Sequence, residues 1–342
     1  MRLGVLTGGG DCPGLNAAIR AVVRRGVRGH GIEFVGFQDG WRGVLDDACE
    51  PLGVPETRGI LHRGGTILGS SGVDPLRAED GPSRVRATLQ RHELDGLVVV
   101  GGEGTLTPAV ALADHGVRVV AIPKTIDNDV SGTDLTIGFL TAAQIATDAV
   151  DRLHTTAESH DRVMLVEVMG RHAGWIAIHA GMAGGADAIL IPEQPFDLDQ
   201  VSEQLRRRHA ARRSFSIVVV AEGAVPVEGT LTLPEAPLDE NGFPRLGGLA
   251  SELAPEIEKR TGFGTRVTIL GHLQRGGSPV AFDRVLATRF GIAAADAAAE
   301  GGWGRMVGLH GTDIRDVPIA EAVATRNLVP LDLSRDAAVF FG

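Results

Sequence analysis

The sequence predicts an α/β fold with two doubly wound, Rossmann-like domains whose sheets are mostly parallel. Short apolar runs rich in β-branched residues alternate with helical segments, and this alternation is typical of parallel strands joined by helical crossovers. Some runs, such as "LVVV" at 97–100, are apolar at every position, as expected for a strand that is covered on both faces. The number of such runs in 342 residues favours two sheets and two domains.

Eight strands are predicted, because each run is short, apolar and followed by glycine, proline or a polar residue. In chain order they are "LGVLT" (3–7), "EFVGF" (33–37), "GLVVVGG" (96–102), "RVVAIP" (118–123), "RVMLVEV" (162–168), "AILIP" (188–192), "SIVVVAEG" (216–223) and "RVTILG" (266–271). Amphipathic segments between them predict helices, for example at 15–28 and 198–213. The stretch 224–247 has proline, glycine and acidic residues without helical period, which indicates a surface hairpin or loop insertion.

Composition excludes several classes of function. The net charge of −10 argues against a nucleic-acid-binding surface, although a local cationic pocket remains compatible with it. The two cysteines, Cys12 and Cys49, have neither metal-ligand nor redox spacing, which fits a reducing cytoplasm. The N-terminus lacks the apolar region of a signal peptide, and no segment reaches the ~20 apolar residues that span a bilayer.

Two glycine-rich junctions follow predicted strands and precede helices. In doubly wound folds ligands bind beyond the carboxyl ends of the strands, so these junctions are candidate binding sites. "TGGGDCPGLN" brings glycines 8–10 to a helix start, which is typical of an anion site but is not a Walker A loop; the alternative is an ordinary tight turn. In "GGEGTLT" (101–107), Glu103 is a candidate Mg²⁺ ligand, or it stabilises the helix dipole.

The segment "AIPKTIDNDV" (121–130) carries three ionisable side chains that are candidates for binding or catalysis. The chain has 31 arginines and two lysines, and Lys124 is one of the two. A lysine kept in an arginine-rich chain indicates that a compact ammonium is required there. If residues 125–129 are extended, Asp127 and Asp129 point the same way, so that one carboxylate can accept a proton beside the other. The alternative is a turn built on Asp and Asn side chains.

Two later junctions add cationic side chains. "EVMGRHAGW" (167–175) places Arg171 at a strand–helix turn, where it is either solvated or a fork for phosphate oxygens. "GHLQRGGSPVAFDR" (271–284) supplies His272 and Arg275 beside a Gly-Gly turn. His272 alone is more often a structural histidine than a ligand.

Five motifs in this order resemble those of the 6-phosphofructokinases. They are "LTGGGDCPGLNAAIR", "GGEGT", "PKTIDND", "MGRHAGW" and "GHLQRGGSP", and the resemblance runs from residue 2 to about residue 310. It resembles in particular a mixed-substrate subgroup of the phosphofructokinase A type, which combines GGEG with PKTIDND. The family transfers a phosphoryl group from ATP, or in other members from pyrophosphate, to the 1-hydroxyl of fructose 6-phosphate in glycolysis.

The resemblance implies a role for each matching residue. Asp127 would be the general base, with Asp129, Arg171 and Lys124 also catalytic. Glu103 would be the Mg²⁺-linked acid. The other implied donor-site residues are Gly10, Gly102, Gly104 and Thr105. The other implied sugar-phosphate ligands are Thr125, Ile126, Arg162, Met169, Gly170, Glu222, Arg266, His272 and Arg275.

The family also implies a domain division and an assembly. Residues 1–138 with about 274–324 would form the larger domain, which binds ATP and Mg²⁺. Residues 139–273 with the C-terminal tail would form the smaller sugar-phosphate domain. Arg162 and Arg266 match arginines that reach a neighbouring subunit's site, which implies a cytoplasmic homo-oligomer, a dimer or tetramer, with shared active sites.

Donor choice depends on two positions. Gly104 matches ATP users, since an aspartate there would crowd and repel the α-phosphate, whereas Lys124 matches pyrophosphate users. Gly72 stands where nucleotide users usually carry an arginine. Gly104 carries more weight than Lys124, because this position directly blocks or admits the nucleotide, and we expect an ATP-dependent 6-phosphofructokinase. The alternatives are a pyrophosphate-dependent enzyme, a kinase with a broader sugar-phosphate range, or a non-catalytic sugar-phosphate sensor.

Overall fold

The structure, a computed structural model, describes residues 1–211, 215–231 and 246–339. The chain divides into two compact units. The first contains Met1–Thr141 and Arg275–Asn327, and the second contains Ala142–Gln274 and Leu328–Gly342. Most of the predicted insertion at 224–247 lies outside the described residues.

All eight predicted strands are present. They are β1 (Arg2–Thr7), β2 (Glu33–Phe37), β4 (Gly96–Gly101), β5 (Val119–Thr125), β7 (Val163–Val168), β8 (Ala188–Leu190), β9 (Ser216–Ala221) and β10 (Thr265–Ile269). Four further strands are β3 (Cys49–Pro51), β6 (Ile137–Gly138), β11 (Arg305–His310) and β12 (Asp313–Pro318). The sequence did not predict these four: β3 and β6 are very short, β12 carries three charged residues, and the apolar run of β11 is only four residues long.

Helices occupy most of the connections between strands. They are α1 (Leu15–Arg25), α2 (Trp41–Leu45), α3 (Gly81–Arg91), α4 (Glu103–Ala113), α5 (Phe139–His160), α6 (Trp175–Ala183), α7 (Leu198–Ala210), α8 (Leu249–Thr261), α9 (Ala281–Ala299), α10 (Ile319–Ala324) and α11 (Leu331–Ala338). A π-helical segment, Gly26–His30, follows α1, and a 3₁₀-helix spans Gly271–Arg275. In the described ranges, no helix has the length and apolar character needed to span a membrane.

The sheet of the first unit has the strand order β12-β11-β5-β4-β1-β2-β3, with β6 paired to β5. Only β3 and β12 pair antiparallel, so the sheet is mostly parallel, as predicted. In the sheet, β2 is the neighbour of β1 on one side and β4 is its neighbour on the other side, so the strand order reverses at β1. Such a reversal of strand order opens a crevice at the carboxyl ends of the strands, where doubly wound proteins bind ligands.

Helices cover both faces of this sheet. Leu97 and Val99 of β4 belong to an apolar core that includes Leu106 of α4. Val98 and Val100 alternate with them and are also fully buried, on the face where α9 contacts β4. Burial on both faces explains why the "LVVV" run is apolar at every position.

The second unit has its own sheet and core. Its four strands are all parallel, in the order β10-β7-β9-β8. Leu165 of β7 and Val218 of β9 belong to a core that also includes Leu205 of α7 and Leu253 of α8. The two separate sheets and cores confirm the predicted α/β class.

Asp283, in the first turn of α9, is a buried carboxylate that ties three elements of the first unit together. It is 0% exposed. Its oxygens accept hydrogen bonds from the backbone N–H of Gly138 (3.1 Å) and from the N–H and hydroxyl of Thr141 (2.8 and 2.5 Å). Burial raises the pKa of Asp283, and these hydrogen bonds oppose the shift.

We predict that Asp283→Ala lowers the free energy of unfolding by about 3 kcal/mol or more, because three buried donors lose their acceptor. The measurement is denaturant unfolding. Asp296→Ala is the matched control on the same helix, since Asp296 forms partly exposed ion pairs with Arg25 and His30 that are worth at most ~1 kcal/mol each. Equal losses for the two variants would contradict the prediction.

Candidate active site

A pocket lies in the first unit where β1, β4 and β5 end. These strands are neighbours in the sheet, so the junctions that follow them meet at one edge. The pocket is lined by Gly9, Gly10, Asp11, Ser71, Gly72, Val73, Gly102, Gly104, Thr105, Lys124, Thr125, Ile126, Asp127 and Arg275. Three junctions that the sequence marked as candidate binding sites therefore form one site.

The glycine-rich loop packs around the buried side chain of Thr105. A Cβ added to Gly8 would lie 2.5 Å from a Thr105 carbon, and a side chain at Gly101 would meet the same threonine. The Nε1 of Trp41 donates to the Thr105 carbonyl (3.0 Å), which fixes the first turn of α4. Glycine at these positions is thus required by close packing as well as by access to a ligand.

Lys124 is the buried cation of the pocket. It is 2% exposed, and its Nζ donates to the carbonyl of Gly8 at 2.8 Å and to that of Gly10 at 2.5 Å. Burial is the main cause that lowers the pKa of Lys124, while the carboxylates of Asp11 and Asp127 oppose the shift. The ammonium therefore joins the end of β5 to the loop after β1, across the intervening strand β4.

Residues 126 and 127 form a turn directly after β5, so 125–129 is not one extended segment and the extended interpretation is wrong. Asn128 has φ 53°, in the left-handed region that asparagine tolerates. Its buried amide donates to the Asp134 carbonyl (3.1 Å), and its oxygen accepts from the N–H of Thr136 (2.8 Å). These bonds hold the turn in the position in which Asp127 lines the pocket.

Arg275 adds a second cation to the same pocket. A side chain at Gly10 would collide with its guanidinium, so Arg275 lies directly against the glycine-rich loop. The resemblance assigned Arg275 to the sugar phosphate. The structure places it beside Gly10 in the first unit, where Lys124 is also found.

Glu103 is paired with an arginine that the sequence did not single out. Its two oxygens accept from Nε and Nη2 of Arg326 at 2.9 and 3.2 Å. Within the described part of the chain, Glu103 and Asp129 are not among the residues that line the pocket. Asp129 instead accepts a hydrogen bond at its backbone carbonyl from the N–H of Asn327 (3.0 Å). The magnesium role of Glu103 stays a prediction.

The predicted sugar-side residues of the second unit lie at the ends of two paired strands. Val168 and Ala221, the last residues of β7 and β9, are in register. The loops that follow are joined, because the N–H of Gly223 donates to the carbonyl of Gly170 (3.1 Å). Gly170 has φ 141°, which favours glycine. This arrangement brings Met169, Gly170, Arg171 and Glu222 to one edge of the sheet.

The other predicted ligands of the second unit are more exposed. His272 lies in the 3₁₀-helix and is exposed. Arg266 is exposed on the edge strand β10, where its Nη1 donates to the Thr265 carbonyl (2.7 Å). Arg162, just before β7, is partly buried. Their proposed roles toward the sugar phosphate stay predictions.

Sequence reasoning missed three residues that line the pocket. Asp11 directly follows the glycine triplet, so its position next to a predicted anion site was an available signal. Ser71 and Val73 flank Gly72 and reach the site through a long loop, for which local patterning gives no signal. The backbone N–H of Gly9 donates to the Ser71 carbonyl (2.9 Å), which anchors this loop.

The chain is similar to phosphofructokinases over nearly its whole length. The family model for Phosphofructokinase matches residues 2–298. A pyrophosphate–fructose 6-phosphate 1-phosphotransferase of Streptomyces coelicolor is 58% identical over 344 residues, covering 100% of both chains. An ATP-dependent 6-phosphofructokinase of Mycobacterium tuberculosis is 54% identical over 343 residues, again covering 100% of both chains. The solved phosphofructokinase of Saccharomyces cerevisiae has a TM-score of 0.81 and 34% identity, over 94% of this chain and 45% of the yeast chain.

We predict that Lys124→Met loosens the glycine-rich loop, because the carbonyls of Gly8 and Gly10 lose a buried charged donor worth ~1.5–3 kcal/mol per bond. Backbone hydrogen exchange at residues 8–11 should accelerate, and the thermal midpoint should fall. Lys259→Met is the matched control, since Lys259 is the other lysine and is exposed at the end of α8. If both variants show wild-type exchange in the loop, the lysine does not hold it.

Proposed function

The chain belongs to the phosphofructokinase family, and on that premise we propose that it moves the γ-phosphoryl group of ATP to the 1-hydroxyl of fructose 6-phosphate. The observation that carries this proposal is the composition of one pocket. Glycine backbone after β1 and β4, the cations Lys124 and Arg275, and the carboxylate of Asp127 line it together. Phosphoryl transfer requires such parts, because it depends on positioning and charge neutralisation more than on covalent help.

In the proposed mechanism, donor phosphates bind at the glycine-rich loop and near the start of α4, where backbone N–H groups favour anions. Asp127 takes the proton of the sugar 1-hydroxyl as its oxygen attacks the terminal phosphorus. The bond from that phosphorus to the bridging oxygen breaks, and the remainder of the donor leaves with the electron pair. Lys124 and Arg275 offset the negative charge that spreads over the transferred group.

We propose that the second unit supplies sugar-phosphate ligands through Arg171, Glu222 and His272. Arg171 would pair with phosphate oxygens, and Glu222 would accept hydrogen bonds from sugar hydroxyls. Arg162 and Arg266 are the basis for proposing a homo-oligomer in which these arginines serve a neighbouring copy. These assignments rest on the motifs that the chain shares with the family.

A phosphate donor is proposed to enter with Mg²⁺, which would neutralise charge on the phosphoryl oxygens. Mg²⁺ prefers oxygen ligands and keeps several waters, so one or two carboxylates suffice. The pocket presents the carboxylates of Asp11 and Asp127, which fit this chemistry. Glu103, the predicted ligand, has both oxygens on Arg326 and would bind the ion only after that pair opens.

Two observations bear on the donor. A Cβ added at Gly104 meets no atom within 4 Å, and the same is true of Gly72, so both positions leave open space beside the pocket. Open space at Gly104 favours ATP, whose α-phosphate and nucleoside need room. Pyrophosphate is the second candidate, since the Streptomyces coelicolor relative that is 58% identical is named for it.

We propose in addition that Lys124 partly replaces the arginine that nucleotide users usually carry at the position of Gly72. The Nζ of Lys124 donates two hydrogen bonds to carbonyls of the glycine-rich loop, so the lysine orients the loop as well as supplying charge. We propose that both contributions lower the barrier to transfer with ATP. Each contribution acts on the same transferred phosphate, one directly and one through the glycine-rich backbone.

We predict that Asp127→Asn lowers kcat at least ~100-fold, because the amide cannot accept the hydroxyl proton. Binding of fructose 6-phosphate, measured by calorimetry, should persist. Asp114→Asn, an exposed carboxylate just after α4, is the control and should keep wild-type turnover. Wild-type turnover in Asp127→Asn would remove Asp127 from the role of base.

We predict that Gly104→Asp lowers turnover with ATP and raises turnover with pyrophosphate. The open space around Gly104 lets the new side chain enter without steric strain, so the effect reports on the ligand. Gly104→Ala is the matched control, which adds a Cβ without charge. The measurement is a coupled assay with each donor separately. Unchanged ATP use by Gly104→Asp would contradict the donor assignment.

A further inference from the structure

Three potential metal ligands of the first unit lie together, and none of them is among the residues that line the pocket. Asp47 lies in the turn after α2 and has φ 58°, in the left-handed region. Cys49 is the first residue of β3, which pairs with β2, and His92 directly follows the last residue of α3. One ligand atom from each side chain lies within 4.8 Å of the other two. We call these three residues the Asp47–Cys49–His92 cluster.

The ligand atoms converge on one ring nitrogen. The Nε2 of His92 is 2.6 Å from Oδ1 of Asp47 and 3.5 Å from Sγ of Cys49. In a tetrahedral zinc site with Zn–S of ~2.3 Å and Zn–N of ~2.1 Å, sulfur and nitrogen are ~3.6 Å apart. The observed separation of sulfur and nitrogen is close to that value, whereas the 2.6 Å separation of Oδ1 and Nε2 must lengthen to admit an ion.

The same geometry argues against a nucleophilic Cys–His–Asp triad. In a triad the base binds the nucleophile through one ring nitrogen and the carboxylate through the other. Here the thiol and the carboxylate both approach Nε2, and Nδ1 is farther from the sulfur, at 3.9 Å.

The carboxylate of Asp47 supplies negative charge to the cluster. Arg91 pairs with the second oxygen of Asp47, which leaves Oδ1 directed at the imidazole. The Asp47 and His92 side chains are 31% and 25% exposed, so an ion can reach them from solvent.

We propose that Asp47, Cys49 and His92 bind one Zn²⁺-class ion, with water as the fourth ligand. Binding replaces the protons on the Cys49 thiol and on Nε2 of His92, which leave to solvent, and no electron is transferred. Thiolate and imidazole favour zinc over Mg²⁺ or Ca²⁺, which prefer oxygen ligands. The site is separate from the pocket that is proposed for phosphoryl transfer.

An ion at this position joins the edge of the sheet to the end of α3. The carboxylate of Asp47 comes from the turn after α2. The first residue of α2, Trp41, donates a hydrogen bond to the carbonyl of Thr105, which lines the pocket. Zinc should therefore raise the thermal midpoint of the whole chain, because it binds only where the three elements are packed together.

The test uses the full chain, stripped with a chelator and titrated with Zn²⁺ by competition with a chromophoric chelator. We expect one ion per chain and an affinity that falls at least ~10-fold in Cys49→Ser and in His92→Ala. His115→Ala is the matched control, since His115 is exposed and remote from the cluster along the chain. Titration with Co²⁺ should give a sulfur-to-metal charge-transfer band that Cys49→Ser lacks.

A second measurement does not depend on folding of the variants. Zinc should slow alkylation of Cys49 by iodoacetamide in the wild-type chain, as followed by peptide mass spectrometry. Cys12 is an internal reference, because burial raises its pKa to about 12 and keeps it unreactive with or without metal. The proposal fails if zinc neither protects Cys49 nor binds more weakly to Cys49→Ser than to wild type.

Discussion

The site depends on the two hydrogen bonds that the buried ammonium of Lys124 donates to the carbonyls of Gly8 and Gly10. A loop of three glycines has many accessible conformations, and its ordering costs more entropy than that of other residues. The two charge-assisted hydrogen bonds from the ammonium offset part of that cost. The same bonds direct the carbonyls of Gly8 and Gly10 toward the cation.

The strand that carries Lys124 is itself held by a buried carboxylate. Lys124 and Thr125 pair with Ile137 and Gly138 of β6, and the N–H of Gly138 donates to Asp283 at the start of α9. Asn128 closes the turn between these two segments through its bond with the N–H of Thr136. Buried polar groups of this kind are stable only when every partner is present, so the position of the carboxylate in the pocket follows from the whole network.

The cations of the pocket are concentrated in one place although the chain as a whole is acidic. The net charge is −10, but Lys124 and Arg275 lie together against the glycine-rich loop. Burial makes a compact ammonium preferable to a guanidinium where one nitrogen must reach two carbonyls. The local potential in a low-dielectric pocket therefore depends on these two cations more than on the charge of the whole chain.

The sequence by itself determined eight of the twelve described strands, the fold class and the family. Strands that are buried on both faces appear in the sequence as runs of apolar residues, which are easily recognised. The five motifs occur in the order and at the spacing found in the family. Only the tertiary structure decided that Glu103 pairs with Arg326, 223 positions away, and that Cys49 meets His92, 43 positions away. Such contacts arise from how helices and loops pack. The spacing of residues along one helix or strand indicates which face is buried, and it does not indicate which distant side chain a residue will contact.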